Sequence, residues 1–422
     1  MRTTLAIILG KLIAYSSKLL NIGGGSTAPG LYSLKIDPKL IEKLSAKIPT
    51  NIVITGTNGK TTTSRLISHF AASQGLKVIR NHTGSNLERG IASTLIQVAP
   101  QQRFDLGIWE LDEAAFNLVV PKLNPNLIVF LNVFRDQLDR YGEIDSIVNN
   151  WGQTIQTISK NTKILINGDD QNLAVLKKGF KGKVQQFGVK DYKIVGEGLS
   201  HKREKENLDF EVKNVQPKGL NGSIFQLTIN NELLTINLPL PGIYHIYDFL
   251  AAFSAGILLK IDPKQMILSL KNFSPAFGRV EKLDFGYIFL IKNPAGATQV
   301  FETIAPLLKP EDRLLFALND NLADGTDVSW IWDADFEQLK IENLKLKIVA
   351  SGTRANDLAL RLKYSGFDPK NIIIEEDMKN ALKQARKGLK GTLFILPTYT
   401  AMLKLQGILT KSGIKKHYWE ES

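Results

Sequence analysis

The sequence predicts an α/β protein in two parts. A parallel sheet carries a phosphate-binding loop and a small antiparallel insert, and a second α/β unit follows. Three observations lead there. Short apolar runs alternate with helix-length patterns over residues 48–175, and again over 283–422. Between them, about residues 185–240, the chain turns polar and then strictly alternating, as in Phe225–Ile229 and Leu234–Leu238, which marks antiparallel strands with one solvated face. The run Ile52–Thr55 enters a glycine turn, Gly56-Thr57-Asn58-Gly59, and a helix-forming stretch opens at Lys60-Thr61-Thr62-Thr63.

The elements follow in order. Residues 3–20 read as an amphipathic helix that packs on the protein's own core, with a membrane surface as the alternative; Lys11 and Lys18 interrupt it, and it is too short to span a bilayer. Gly23-Gly24-Gly25-Ser26 and Pro29-Gly30 break the chain after it, so residues 1–47 form a helix and linker. The runs Asn51–Thr55, Lys77–Arg80, Leu106–Glu110, Leu127–Asn132 and Lys163–Asn167 are the strands of the first unit, residues 48–282. A helix is expected near 245–260. Tyr287–Ile291, Arg313–Leu318, Leu346–Ala350, Ile372–Ile374 and Thr392–Leu396 are the strands of the second, residues 283–422.

Composition narrows the function. In 422 residues, 53 Lys and Arg face 41 Asp and Glu, and none is Cys. A thiol nucleophile, a disulfide scaffold and a cysteine-based zinc or iron–sulfur site are thereby excluded. The five histidines are scattered, with no metal-ligand spacing. The net charge of +12 suits anionic partners such as phosphates or a membrane surface. No basic run interleaves with aromatics as a nucleic-acid reader requires, so no nucleic-acid partner is expected. The N-terminus lacks a convincing cleavage pattern, which points to a cytoplasmic protein.

The glycine turn carries the clearest chemistry. Backbone N–H groups freed by Gly56 and Gly59 can curl around phosphate oxygens, and the helix start adds its positive dipole end. Lys60 can then reach the outer phosphates, and the Thr61 hydroxyl can hold Mg²⁺. The strict motif places glycine where this chain has Ile54, so the loop is a variant of the P-loop.

That variant, Thr55 through Thr63, resembles the ATP loop of the Mur ligase superfamily, which joins amines to carboxylates through acyl phosphates. Further segments resemble one branch of it, the MurT family of lipid II isoglutaminyl synthase subunits. They are Arg135–Glu143, Lys292-Asn293-Pro294-Ala295-Gly296, Asn319–Asp333, Ser351-Gly352-Thr353-Arg354 and Pro397-Thr398-Tyr399-Thr400. The resemblance implies a Mur ligase-like central ATPase unit followed by a Rossmann-like unit that contacts a glutaminase. It implies ATP and Mg²⁺, a GatD-type glutaminase in a heterodimer, and amidation of the D-glutamate α-carboxylate of the lipid II stem peptide, with the chain cytoplasmic or peripheral to the inner membrane face. MurT subunits commonly carry a four-cysteine zinc ribbon in the insert. Here the insert, with His201-Lys202-Arg203-Glu204-Lys205, has no cysteine, and no zinc is expected.

The resemblance also assigns residues. Gly56, Thr57, Asn58, Gly59, Lys60, Thr61 and Thr62 would cradle ATP. Glu110, at the end of a parallel strand and so facing the ligand crevice, matches the carboxylate that holds Mg²⁺ with Thr61. Asp112 and Glu113 follow it, and a solvated acidic turn is the alternative. Asp136 and Gln137 lie near the metal position, with Gln137 where classical Mur ligases have a histidine; Arg140 is equally readable as an ion-pair partner of Glu143. His245 and Asp248 stand where superfamily members place an asparagine pair near adenine. Arg279, at the join of the two units, matches an arginine that reaches the ATP phosphates. Asp327 lies among five acids over 320–335, with Trp330 and Trp332 between them, and matches the MurT aspartate that completes the glutaminase's Cys–His pair. A solvated loop is its alternative. Two other functions stay open: a stand-alone amino-acid ligase of the Mur or folylpolyglutamate type, and a nucleotide-gated scaffold without turnover.

Overall fold

The computed structural model describes residues 1–19, 27–81, 85–98, 101–134, 144–190, 208–229, 232–273, 279–341 and 344–414. Asp136, Gln137, Arg140, Glu143 and the insert residues 201–205 lie outside these, as does the Arg279 side chain.

Nine strands form the first sheet: β1 (Thr50–Thr55), β2 (Val78–Arg80), β3 (Leu106–Leu111), β4 (Leu127–Phe130), β5 (Lys163–Asn167), β6 (Val184–Val189), β7 (Phe210–Pro217), β8 (Ser223–Ile229) and β9 (Glu232–Leu238). Their spatial order is β2-β3-β1-β4-β5-β6-β7-β8-β9. Strands β2 through β7 in that order pair in parallel, and β8 and β9 are antiparallel. β1 is buried on both faces, as expected of a central parallel strand. Ile52 and Ile54 join a core with Phe70, Phe249 and Phe253, while Val53 joins Trp109, Phe116, Phe130 and Trp151 on the other face.

The alternating segment forms antiparallel strands, as expected, and they continue the first sheet. β8 alternates buried and half-buried residues, and its buried set, Phe225, Leu227 and Ile229, belongs to the same core as β1. The helix Ile243–Leu258 closes that face, with the Phe225 and Phe249 ring centroids 5.6 Å apart. Sharing that helix is the physical reason the antiparallel strands extend the main sheet.

The second sheet contains β10 (Arg279–Leu283), β11 (Gly286–Phe289), β12 (Arg313–Ala317), β13 (Lys347–Ser351), β14 (Ile372–Ile374) and β15 (Leu393–Pro397). Its order is β10-β11-β15-β12-β13-β14, parallel except for β10. β15 enters between β11 and β12, so the chain direction across the sheet reverses beside β12. Crevices at such reversals, outside the strand C-termini, are where α/β sheets take ligands.

The N-terminal helix, Arg2–Leu19, packs on the chain, but not by a broad apolar face. Small residues make the contact. The Ser33 hydroxyl donates to the Ala6 carbonyl (2.7 Å), and a Cβ on Gly10 would stand 2.5 Å from Ser33 Oγ. Larger residues of the helix, Leu5, Ile8, Leu12 and Tyr15, are exposed. Its sequence is therefore apolar on two opposite sides, where a one-faced amphipathic helix was expected.

Candidate active site

The glycine turn follows β1 at its C-terminal end, between the ends of β3 and β4. Gly56 and Gly59 have φ of 138° and 89°, values that a side chain disfavours. Asn132, just past β4, clamps the turn. Its carbonyl accepts from Thr57 N (3.0 Å), its Oδ1 accepts from Asn58 N (2.8 Å), and its Nδ2 donates to the Asn58 carbonyl (3.1 Å). The clamp is itself braced, because buried Asp170 Oδ2 accepts from Val133 N (2.7 Å). Burial raises the Asp170 carboxyl to about 7, against the opposing pull of its backbone donors.

Lys60 opens the helix Lys60–Ala72 and is folded over the turn. Its ammonium donates to the Gly56 carbonyl, to the Thr57 carbonyl (3.4 Å) and to Glu113 Oε2 (3.3 Å). One turn into the helix, the Thr61 hydroxyl donates to Glu110 Oε2 (2.8 Å) and the Ser64 hydroxyl to Oε1. Glu110 is 4% exposed, and Asn81 fixes its backbone from both sides (2.9 and 3.0 Å). Burial, then the neighbouring charge of Arg80, lowers the Arg65 guanidinium, and the Glu110 carboxylate opposes this.

The donor set fits a magnesium nucleotide. Thr61 Oγ1 and Glu110 Oε2 are hard oxygens, and Mg²⁺ takes one or two protein ligands with the rest from phosphate and water. The described residues contain no cluster of three His, Cys, Asp or Glu that could hold a metal by itself.

The second sheet closes over the turn. Asn293 caps the helix Pro294–Ile304 by accepting from Gly296 N (2.8 Å). The same side chain exchanges two hydrogen bonds with Asn58 (3.3 and 3.1 Å), and Lys292 donates to the Thr57 carbonyl (3.4 Å). Between the two sheets lies a cavity of about 60 Å³, lined by Asn58, Asn132, Tyr244, Tyr247 and Asp248 on one side and Val280, Phe289, Lys292 and Gln299 on the other. Val280 sits at a bulge between β10 and β11 with φ of 60°, a strained value for a β-branched residue. Strain of this kind persists where surrounding structure imposes it, here at the join of the two sheets.

The loop after β12 is different in kind. Asp327 is exposed; its Oδ1 accepts from Ser329 N (2.8 Å), and Ser329 holds its carboxyl below the usual value, through the backbone N–H first and then the hydroxyl. Asp324 is buried and accepts from Thr400 N (2.8 Å), which ties this loop to the one after β15. Arg361 holds the following turns. It donates to the Ile331 and Ala334 carbonyls (2.9 and 2.8 Å) and to both oxygens of Glu337 (2.8 and 2.9 Å). Around it Leu322, Trp332, Leu360 and Tyr364 stay exposed.

Comparison with known proteins bears on both regions. The Mur ligase middle domain matches residues 54–256, and the MurT ligase C-terminal family matches 290–402. A lipid II isoglutaminyl synthase subunit MurT of Staphylococcus aureus (strain COL) is 31% identical over 98% of this chain and 99% of its own. The chain belongs to the MurT family. The MurT subunit of Streptococcus pneumoniae (strain ATCC BAA-255 / R6) is 30% identical over 98% of each chain. The fold is that of Mur ligases: MurF from Acinetobacter baumannii superposes with a TM-score of 0.69 at 15% identity, covering 91% of this chain and 80% of that one. MurF from Thermotoga maritima, solved with ADP, gives 0.66 at 14% identity, covering 92% and 85%.

In this MurT-family chain, Gly56, Thr57, Asn58, Gly59, Lys60, Thr61 and Glu110 come together as one constellation. Thr62 is fully buried behind the helix start. Asp248 sits against the turn, where a Cβ on Gly59 would meet its Oδ1 at 2.1 Å. His245 is not brought to the cavity. Its ring is fully buried and Nδ1 pairs with the Pro241 carbonyl at 2.7 Å, while Tyr244 and Tyr247 of the same helix line the cavity instead. Asp112 Oδ1 accepts from Ala114 N (3.2 Å), a local turn bond. Arg279 begins β10. Asp327 belongs to a separate surface. The residues that sequence reasoning missed are Asn132, which follows a buried strand, and the contact made by Asn293, whose N-cap position before Pro294 was the available signal.

Proposed function

We propose that this chain is the synthase subunit of a lipid II isoglutaminyl synthase, amidating the D-glutamate α-carboxylate of the stem peptide to D-isoglutamine with ammonia from a GatD-type glutaminase. The reading rests on one observation above all. Two of the family-specific segments have separate situations, Lys292–Gly296 hydrogen-bonded onto the phosphate turn and Asp327 exposed on the loop after β12.

ATP would lie between the glycine turn and the cavity, with its base toward Tyr244, Tyr247 and Asp248. Thr61 and Glu110 would hold Mg²⁺, which when bound neutralises phosphate charge. Gln137 is a further candidate ligand. The substrate carboxylate attacks the γ-phosphorus, ADP departs, and an acyl phosphate forms. Ammonia then attacks the acyl carbon, phosphate leaves, the surplus proton passes to solvent, and an amide remains. Lys60 would leave Glu113 for the transferring phosphoryl, and Arg279 would approach from the join; both offset charge that develops there. The working units would be residues 1–47, 48–282 and 283–422, the last of them meeting the glutaminase in a heterodimer. Asp327 would orient the glutaminase histidine. No zinc is required. The chain would work in the cytoplasm, on a substrate held at the inner membrane face.

The test uses the chain with its glutaminase, lipid II and ATP–Mg²⁺, supplied with either glutamine or ammonium chloride. Asp327→Asn is expected to lose most glutamine-driven amidation and keep ammonium-driven amidation. Equal loss with both nitrogen sources would assign Asp327 to the ligase site or the fold. No loss with either would make the loop a solvated surface. A stand-alone ligase would instead accept an amino acid without the partner, and a scaffold would turn over no ATP.

A further inference from the structure

The N-terminal helix has an outer face that the fold does not use. Met1, Leu5, Ile8, Leu12 and Tyr15 recur at spacings of four, three, four and three, which puts them in one stripe along the helix. Leu5, Ile8, Leu12 and Tyr15 are 59%, 52%, 58% and 68% exposed. The face that packs inward, through Ala6 and Gly10, is on the opposite side. The adjoining helix Ala28–Ile36 also exposes Leu31 and Tyr32, with Lys35 over the Tyr32 ring. A contiguous apolar face of this kind on a soluble domain marks a docking surface.

The charge around it selects the occupant. The helix carries Arg2, Lys11 and Lys18 and no acid, and residues 1–48 hold seven Lys or Arg against two acids. One of the two, Asp37, is buried and paired with Lys43 (2.7 Å), which leaves six cations against Glu42. Beside the stripe, a cavity of about 190 Å³ opens between the first helix and the segments Leu44–Ile48 and Leu95–Phe104. Ile7, Leu95 and Phe104 give it an apolar floor, while Lys11, Lys47 and Arg103 line it with cations. Apolar side chains ringed by cations suit a surface that is apolar within and anionic at its boundary. A protein partner would need an acidic, apolar-centred patch; an anionic bilayer presents that chemistry everywhere. No helix among the described residues is long and apolar enough to cross a membrane, so the element would lie on it.

We propose that the outer face of the helix Arg2–Leu19, with the cation-lined cavity beside it, docks this chain flat on an anionic phospholipid bilayer. The inference goes beyond the proposed reaction and needs neither nucleotide, glutaminase nor lipid-linked peptide.

The experiment is flotation of the full chain with vesicles of phosphatidylcholine alone, or with one third phosphatidylglycerol, free of lipid II. Binding is expected to be at least tenfold stronger to the anionic vesicles and to weaken with salt. Leu5→Ser with Leu12→Ser should reduce it at least tenfold. Lys11→Glu should reduce it severalfold. The double serine variant should melt as the parent does; Lys11→Glu also gives up the ammonium's bond to the Val98 carbonyl (3.2 Å), so a small drop in its melting temperature is expected. Both should turn over ATP at the parental rate in detergent, since none of these residues adjoins the phosphate turn. Equal binding to both vesicle types, or undiminished binding by the double serine variant, would overturn the proposal. So would binding that appears only when lipid II is added, which would assign the face to the substrate's own tail. A parent that is dimeric in solution and becomes monomeric on the double substitution would assign it to a second copy.

Discussion

The phosphate turn and the Asp327 loop both follow the C-terminal ends of parallel strands, yet they are finished in opposite ways. At the turn, Lys60, Thr61, Glu110 and Asn132 find partners within the chain, and Glu110 is almost wholly buried. On the loop, the backing is internal, through Asp324 and Arg361, but the side chains at the front are exposed. A site that is complete in one chain hides its charges, because an unpaired buried charge is costly. Asp327, by contrast, keeps its carboxylate in water, and Ser329 holds it on the ionised side.

The contrast breaks most sharply at Lys60. Lys60→Ala should lower ATP turnover by about 10²–10³-fold or more, the scale of removing one donor from a charged transition state. The melting temperature should also fall, because the substitution leaves the buried Glu113 carboxylate without its ammonium partner. Release of ADP at the parental rate would disconnect the turn from catalysis. Asp327→Asn is the mirror image, expected to spare ATP chemistry driven by ammonium.

Arg361→Met probes the backing of the loop. It strips carbonyl partners from Ile331 and Ala334 and leaves Glu337 without its fork, so a loss of about 2–4 kcal/mol is expected in urea unfolding. The phosphate turn should keep its nucleotide affinity in that variant. A parallel loss of ATP binding would show the two regions to be one cooperative site.

Asn293→Ala removes a helix cap and the bonds to Asn58 together. A cap alone is worth about 1 kcal/mol, so ATP KM should rise about threefold to tenfold with little change in kcat. An unchanged KM would mean the second sheet merely rests on the turn.

The smallest effect concerns pH. Asp170 ionises near 3.8 when unfolded and about 7 when folded. The folded state therefore binds the extra proton between those values. Its stabilising share is complete below pH 3.8, declines as pH rises towards 7, and is constant above. Asp170→Asn should flatten this part of the profile, so the parent should lose stability relative to the variant from pH 4.5 to pH 8. A gap independent of pH would mean that Asp170 is ionised in the fold throughout that range.

Much of this was legible in the residues, and the limits have physical causes. The run Lys163–Asn167 coincides with β5 residue for residue, because a strand covered on both faces selects apolar side chains; Ile372–Ile374 coincides with β14 through its β-branched residues alone, since that edge strand leaves Ile373 and Ile374 exposed. β6 and β10 escaped, since Gln185-Gln186 interrupts an interior strand with polar residues and Glu281-Lys282 lies in an edge strand. The turn and Glu110 were readable because phosphate chemistry demands particular residue types at close spacing. Asn132 and Asn293 were not, because an amide that clamps a loop is defined by what it faces across the fold. His245, expected near the adenine, is absent from the cavity lining for a related reason. Position along a helix does not say which side the cavity takes, and here it takes Tyr244 and Tyr247.

The paired amides of Asn58 and Asn293 lie 235 residues apart in sequence. Neither carries charge, so the pair is insensitive to salt and holds by direction alone. One half belongs to the loop that faces phosphate, and the other begins the helix that steers the second sheet. Anything that turns the second sheet by a few degrees must stretch or relax this pair. Nucleotide affinity and the grip of whatever binds the far side would then obey reciprocity, each altering the other by the same factor. Through this clasp, weight placed on one half of the molecule would be read at the other only if it moved Asn293 itself.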